Sequence, residues 1–149
     1  MKTTAIFPGS FDPFTIGHDD IARRALLIAD RLVIAVGVND KKKYESDTEQ
    51  RVEAIARLYA DNPRVEVVAY EGLTIDLARH LHANFIVKGV RSVKDFEYER
   101  EQADINRLIS NGEIDTILLY AEPHLASISS SMVRELQHYG QDITQFLPL

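Results

Sequence analysis

The sequence predicts an α/β protein: a doubly wound sheet of five parallel strands with helices on both faces. Two observations predict it. Five short apolar runs recur along the chain, each rich in Val, Ile or Leu with little alternation, as in strands covered on both sides. Between them lie stretches whose apolar residues return every three or four positions, the period of a helix packed on one face. Alternation of this kind implies parallel strands joined by right-handed crossovers. The arrangement it favours is the Rossmann-like order 3-2-1-4-5, in which the direction of winding reverses between strands one and four.

The elements follow in order. "TTAIF" (3–7) is the first strand. "GHDDIARRALLIADR" is helical, with Ile21, Ala25, Ile28 and Leu32 on one stripe. "LVIAVGV" (32–38) is the second strand. "SDTEQRVEAIARLYAD" opens with Ser46 and Glu49 at capping-box spacing and carries Val52, Ile55, Ala56 and Tyr59 on one face. "RVEVVAY" (64–70), the helical "LTIDLARHLH", "NFIVKG" (84–89), the helical "VKDFEYEREQADINRLIS" and "TILLYA" (116–121) continue the pattern. "SSSMVRELQHYG" is a last helix that stops at Gly140.

Bulk properties bound the rest. With 149 residues the chain reads as one domain, 1–149, large enough to bury a core without staples. It has no cysteine, hence no disulfide framework, thiolate metal site or cysteine nucleophile. No stretch approaches a membrane span or a signal peptide, so a cytoplasmic protein with no membrane partner is expected. A formal net charge of −6 argues against general nucleic-acid binding, while leaving room for a local basic pocket around a small anion. His80 and His82 stand two apart, and His124 and His138 lack partners at useful spacing, so no metal site is expected from protein side chains.

In a doubly wound sheet, ligands bind beyond the carboxyl ends of the strands at the switch point. The turn after strand one, "PGSFDPFTIGH", should therefore face the turn after strand four, "KGVRSVKDFEYE". Gly9 allows a tight turn, Gly17 a close approach to the start of a helix, and that helix start offers free amides to an anion. His18 would sit in its first turn as a hydrogen-bond donor. The spacing is neither G-x-G-x-x-G nor G-x-x-x-x-G-K-[ST], but "TIGH" (15–18) matches T-x-G-H, the nucleotidyltransferase form of the HIGH motif.

The wider motif set resembles the phosphopantetheine adenylyltransferases over nearly the whole chain. It comprises "FPGSFDPFTIGH" (7–18), "KK" at 42–43 ahead of a helix whose first turn ends at Arg51, "VKGVRSVKDFEYE" (87–99), "ISSSMVRE" (128–135) and "FLP" (146–148). The resemblance implies transfer of the adenylyl group of ATP to 4'-phosphopantetheine, giving dephospho-coenzyme A and pyrophosphate. It implies Mg2+ held mainly by ATP phosphates and water, and assembly as a homohexamer. Its catalytic residues fall on His18, which would stabilise the pentacovalent α-phosphate, and on Lys42 and Lys88, which would orient the nucleophilic phosphate. Its ATP contacts fall on Ser10, Phe11, His18, Gly89, Val90, Arg91, Glu99 and the run Leu125, Ala126, Ser127, Ile128, Ser129, Ser130, Ser131. Its acceptor contacts fall on Ser10, Lys42, Leu73, Thr74, Lys88 and Asn106. The chain departs from the family pattern at Phe7, where Tyr is common, and at Thr74 and Leu125, where bulkier residues are frequent. It stops at "QFLPL" where many members continue, so packing or subunit contacts are expected to differ there. The competing readings are a nicotinamide-mononucleotide or glycerol-phosphate transferase sharing the T-x-G-H turn, and a nucleotide sensor without turnover.

Overall fold

The structure is a computed structural model that describes residues 2–38 and 47–148. Lys42 and Ser46 lie outside the described residues. The strands are β1 (Thr4–Gly9), β2 (Arg31–Gly37), β3 (Val65–Tyr70), β4 (Phe85–Val90) and β5 (Asp115–Tyr120). The helices are α1 (Ile16–Ala25), α2 (Thr48–Leu58), α3 (Thr74–His80), α4 (Val93–Ile109) and α5 (Ser130–His138), with single 3-10 turns at Pro123–Leu125 and Thr144–Phe146. All strand pairs are parallel and the order is β3-β2-β1-β4-β5. β1 therefore lies at the centre, paired to β2 on one side and β4 on the other.

Burial follows position in the sheet. β1 and β2 are sealed on both faces, while the edge strands β3 and β5 are only partly covered. On one face Ala5, Phe7, Leu32, Ile34, Val36 and Val87 pack against Ile21 and Ala22 of α1 and Ile55 of α2. On the other, Ile6, Val33, Ala35 and Ile86 pack against Ile75 and Ala78 of α3 and against Ile114. Successive side chains of one strand thus feed opposite cores, which is why the strand sequences show no alternation.

Two helical expectations need correction. The first helix ends at Ala25, not near Leu32; Leu32 is fully buried but in β2, and Ile28 is 46% exposed. The cause is tertiary. Arg64, just before β3, donates to the carbonyls of Leu26 (2.5 Å), Ala29 (2.7 Å) and Asp30 (2.9 Å), satisfying the chain as it unwinds. The second helix is capped by Asp47, whose Oδ1 accepts from the Gln50 amide at 2.8 Å, with the Gln50 side chain reaching back. Of its predicted face Val52, Ile55 and Tyr59 pack on the core, joined by Arg51, whereas Ala56 is exposed.

Ile34→Ala empties a fully buried position between the sheet and its first helical layer. It should lower the unfolding free energy by about 2–5 kcal/mol, read from urea titration with the slope unchanged.

Candidate active site

The turn between β1 and α1 is built around a reciprocal pair of hydrogen bonds. Thr15 is the N-cap of α1, and its hydroxyl accepts from the His18 amide at 3.4 Å. In return the Thr15 amide donates to His18 Nδ1 at 2.9 Å. This is a capping box with histidine in the place usually held by Glu or Gln. Its chemical consequence is a fixed tautomer. Nδ1 must keep its lone pair to accept, so the proton of the neutral ring sits on Nε2.

The ring sits among Phe11 (centroids 5.0 Å, edge-on), Phe14 (5.4 Å, tilted 31°) and Phe7 (6.3 Å). Although the residue as a whole is partly exposed, the imidazole lies among apolar rings and next to cations. Burial, then Lys88 and Arg91, push its pKa from the ordinary 6.5 down to about 3. His18 is therefore a neutral Nε2–H donor, not a cation, throughout the physiological range.

Close packing holds β1, α1 and β4 together around it. A Cβ on Gly9 would stand 2.9 Å from the Phe11 ring, and one on Gly89 would stand 2.9 Å from Ile21 of α1. Only glycine fits at either position without displacing a side chain. Tyr59, at the end of α2, donates its hydroxyl to Asp19 at 2.5 Å and meets the Phe14 ring edge-on. Burial and that carboxylate push the Tyr59 phenol well above its ordinary pKa.

Two lobes open at this end of the sheet. The smaller, about 290 Å³, is lined by Ser10, Phe11, His18, Gly89, Val90, Arg91, Leu125, Ile128, Ser129, Ser130 and Ser131, with Arg134. The larger, about 480 Å³, is lined by Tyr70, Thr74, Tyr98, Glu99, Gln102 and Asn106, among others. Pro8, Gly9, Ser10 and Lys88 line both. The N-termini of α1 and α5 meet in the smaller lobe, so two helix dipoles present their positive ends to the same space. Ser129 is the N-cap of α5, accepting from the Met132 amide at 3.1 Å. Lys88 Nζ stands 3.2 Å from Glu99 and 3.4 Å from the Pro8 carbonyl. Arg91 pairs with Asp95 at 3.1 Å. The geometry gives a lobe lined by two helix N-termini and cationic side chains, joined through Lys88 and the Pro8–Ser10 turn to a second lobe.

The cytidylyltransferase-like family model matches residues 6–136. A phosphopantetheine adenylyltransferase from Phocaeicola vulgatus is 58% identical over 144 residues, covering 97% of this chain and 94% of its own. One from Bacteroides thetaiotaomicron is 53% identical with the same coverage. This chain belongs to the phosphopantetheine adenylyltransferases. Among solved structures, a bifunctional NMN adenylyltransferase/ADP ribose pyrophosphatase from Francisella tularensis superposes with a TM-score of 0.73 at 19% identity, over 99% of this chain and 45% of that one. At that identity the likeness shows the shared fold.

Most residues singled out from the sequence of this adenylyltransferase converge on the two lobes, but not all. Glu99 lies in the larger lobe against Lys88, away from the set with which it was grouped. Its neighbours Tyr98, Gln102 and Asn106 explain why: they form a stripe at i, i+4, i+8 on α4 that faces this space. Leu73 is 58% exposed and lines neither lobe; Ala126 and Ser127 line neither lobe, although their neighbours do. Lys42 lies outside the described residues. Sequence reading passed over Arg134, which follows the serine run by one helical turn and donates to the Asp12 carbonyl at 2.5 Å. It also gave no role to Arg51, a buried arginine in the first turn of α2. The i, i+3 spacing from Ser131 to Arg134 was a usable signal; burial of a charged residue was not.

Because the folded pKa of His18 lies below its unfolded value, the unfolded chain binds the extra proton between about pH 6.5 and pH 3. The stabilisation is complete above pH 6.5 and is lost as pH falls through that window. His18→Gln keeps a capping-box acceptor and cannot titrate. Unfolding free energy measured from pH 8 to pH 4 should fall more steeply for the native chain than for H18Q; parallel curves would show that His18 titrates normally.

Proposed function

We propose that this adenylyltransferase moves the adenylyl group of ATP to 4'-phosphopantetheine, releasing pyrophosphate and forming dephospho-coenzyme A. The observation that carries this reading is the join between the lobes. Lys88 and the Pro8–Ser10 turn belong to both, so a phosphate in one meets a phosphate in the other there.

ATP takes the smaller lobe. The hydroxyls and free amides of Ser129, Ser130 and Ser131 receive the β- and γ-phosphates, and Arg91 neutralises the leaving pyrophosphate. Phe11, Gly89, Val90, Leu125 and Ile128 wall the nucleotide. The acceptor takes the larger lobe, its arm along Thr74 and Asn106 and its phosphate against Lys88 and Ser10; the family resemblance adds Lys42, which lies outside the described residues, to that phosphate's partners. Glu99 orients the Lys88 ammonium, a role its 3.2 Å ion pair supports better than contact with nucleotide.

The acceptor's phosphate oxygen attacks the α-phosphorus in line. A P–O bond forms there as the bond from the α-phosphorus to the bridging oxygen breaks, and the electron pair leaves with pyrophosphate. A phosphate monoester, with a second pKa near 6, is already a dianion at neutral pH, so no general base is required. Catalysis is positioning and charge stabilisation. His18 donates Nε2–H to the oxygen on which charge grows. As a neutral, pre-set donor it favours the transition state over the ground-state anion.

Magnesium travels with the triphosphate in this reading. Phosphate oxygens and water would hold it, and no step above runs through it. Bound Mg2+ supplies further charge neutralisation. Among the described residues no helix is long and apolar enough to cross a membrane. A cytoplasmic setting belongs to the same proposal. So does the hexamer, supported by the apolar residues that α4 and its neighbourhood leave exposed: Val93, Ile105, Leu108 and Tyr120.

Pyrophosphate should be released from ATP on adding 4'-phosphopantetheine and not on adding nicotinamide mononucleotide or glycerol phosphate; the reverse pattern would overturn the reading. His18→Ala should lower kcat by at least a hundredfold, about 2.7 kcal/mol, with ATP affinity by calorimetry nearly unchanged. Lys42→Ala should weaken use of phosphopantetheine more than nucleotide binding, and equal loss of both would remove that lysine from the acceptor's phosphate.

A further inference from the structure

Phe11 has a left-handed backbone, φ 50°, which a bulky L-residue adopts only when its surroundings impose it. Rotation about that bond sets the plane of the peptide joining Ser10 to Phe11. Both sides of the bond are held. On one side the Phe11 ring packs edge-on against Phe7 (5.1 Å), Phe14 (5.2 Å) and His18 (5.0 Å). On the other, the Ser10 carbonyl accepts from Arg51 Nη1 at 2.5 Å, while Nη2 donates to Thr48 at 2.9 Å.

Arg51 is 3% exposed. It lines an apolar cavity of about 340 Å³ behind the turn, together with Phe11, Pro13 and Phe14, and takes no part in lining the nucleotide lobe in front. The Ser10–Phe11 peptide is trans, so its N–H points opposite to its carbonyl. With the carbonyl held by Arg51, the Phe11 N–H points away from that guanidinium, and Ser10 and Phe11 line the lobe that Arg51 does not line. Backbone amides aimed at a bound anion are effective stabilisers of growing charge when their direction is fixed beforehand.

We propose that Arg51 is a positioning residue. By holding the Ser10 carbonyl it locks the strained Ser10–Phe11 peptide with its N–H directed at the anion in the nucleotide lobe, and it does so without touching substrate. The kinetic consequence rests on the adenylyl-transfer reading; the direction of the amide does not.

The test compares Arg51→Met, Arg51→Lys and Thr48→Val with the native chain. Each is followed by amide NMR during titration with inorganic pyrophosphate, by steady-state kinetics with ATP and phosphopantetheine, and by calorimetric ATP binding. In the native protein the Phe11 amide proton moves downfield as pyrophosphate binds. R51M abolishes that shift and lowers kcat at least tenfold, with ATP affinity changed less than threefold. R51K keeps length and a donor, and restores most of both. T48V removes another partner of the guanidinium, the Thr48 hydroxyl, but leaves the Ser10 bond, and stays within twofold. A Phe11 amide unmoved in the native protein overturns the proposal, as does a folded R51M with kcat within twofold. T48V losing as much as R51M overturns it too, since Arg51 would then act only through the stability of α2. If R51M does not fold, the native amide titration and R51K decide: a folded R51K without the Phe11 shift overturns it. A native chain inactive with these substrates would sink the functional reading and leave the Phe11 titration to judge Arg51.

Discussion

Reversal of winding between β1 and β4 is the constraint from which the site follows. The chain leaves β1 towards one helical layer and leaves β4 towards the other, so neither layer covers the ends of these two central strands. The gap is lined by backbone that has just ended a strand and begun a helix, where amides lack internal partners. An anion bound there would satisfy them. The start of α5 is brought to the same gap from the far end of the sequence: Ser130 donates to the Pro13 carbonyl at 2.7 Å. Two helix dipoles and several cations are thus concentrated at one point of a chain whose formal net charge is −6.

Charge in the site is partitioned rather than summed. His18 is kept neutral by burial and by the neighbouring Lys88 and Arg91, so a donor stands at the centre with cations around it. Each of those cations already has an acid beside it, Glu99 for Lys88 and Asp95 for Arg91. The pairs hold long, flexible side chains in place before any phosphate arrives, which lessens the ordering that binding would otherwise require. In the proposed adenylyl transfer, an imidazolium would add attraction to the ground-state triphosphate, whereas a neutral donor would favour the state in which charge has moved onto the oxygen it faces.

The turn between β1 and α1 is tied to other elements through its carbonyls. Ser10, Asp12 and Pro13 each accept from a side chain elsewhere: Arg51 of α2, and Arg134 and Ser130 of α5. Within the turn, Phe11 and Phe14 fill the space between the His18 ring and the core. Aromatic packing on one side and guanidinium clamps on the other leave the amides facing the lobe little freedom to reorient, and such preorganisation is where electrostatic catalysis obtains its effect.

The five strands and their order were readable from the sequence because buried parallel strands are continuous apolar runs, and a sheet of five such strands joined by helices has few right-handed solutions. The T-x-G-H turn and the Lys88–Arg91 segment were readable because strand–turn–helix spacing is local. Other features depended on contacts between residues far apart in the chain. The first helix stops at Ala25 because Arg64 takes the carbonyls beyond it, and no local pattern announces an arginine some forty residues away. Glu99 belongs with Lys88 because α4 turns that stripe towards the larger lobe. Arg51 gains a role only when its guanidinium is seen against the Ser10 carbonyl, 41 residues away in the chain. The sequence alone determined that five strands alternate with helices and that Thr15 to His18 open one of those helices, since both rest on period and spacing over a few positions. Tertiary structure alone decided which charges are buried and what they hold, since desolvation and hydrogen-bond partnership exist only once distant segments have met.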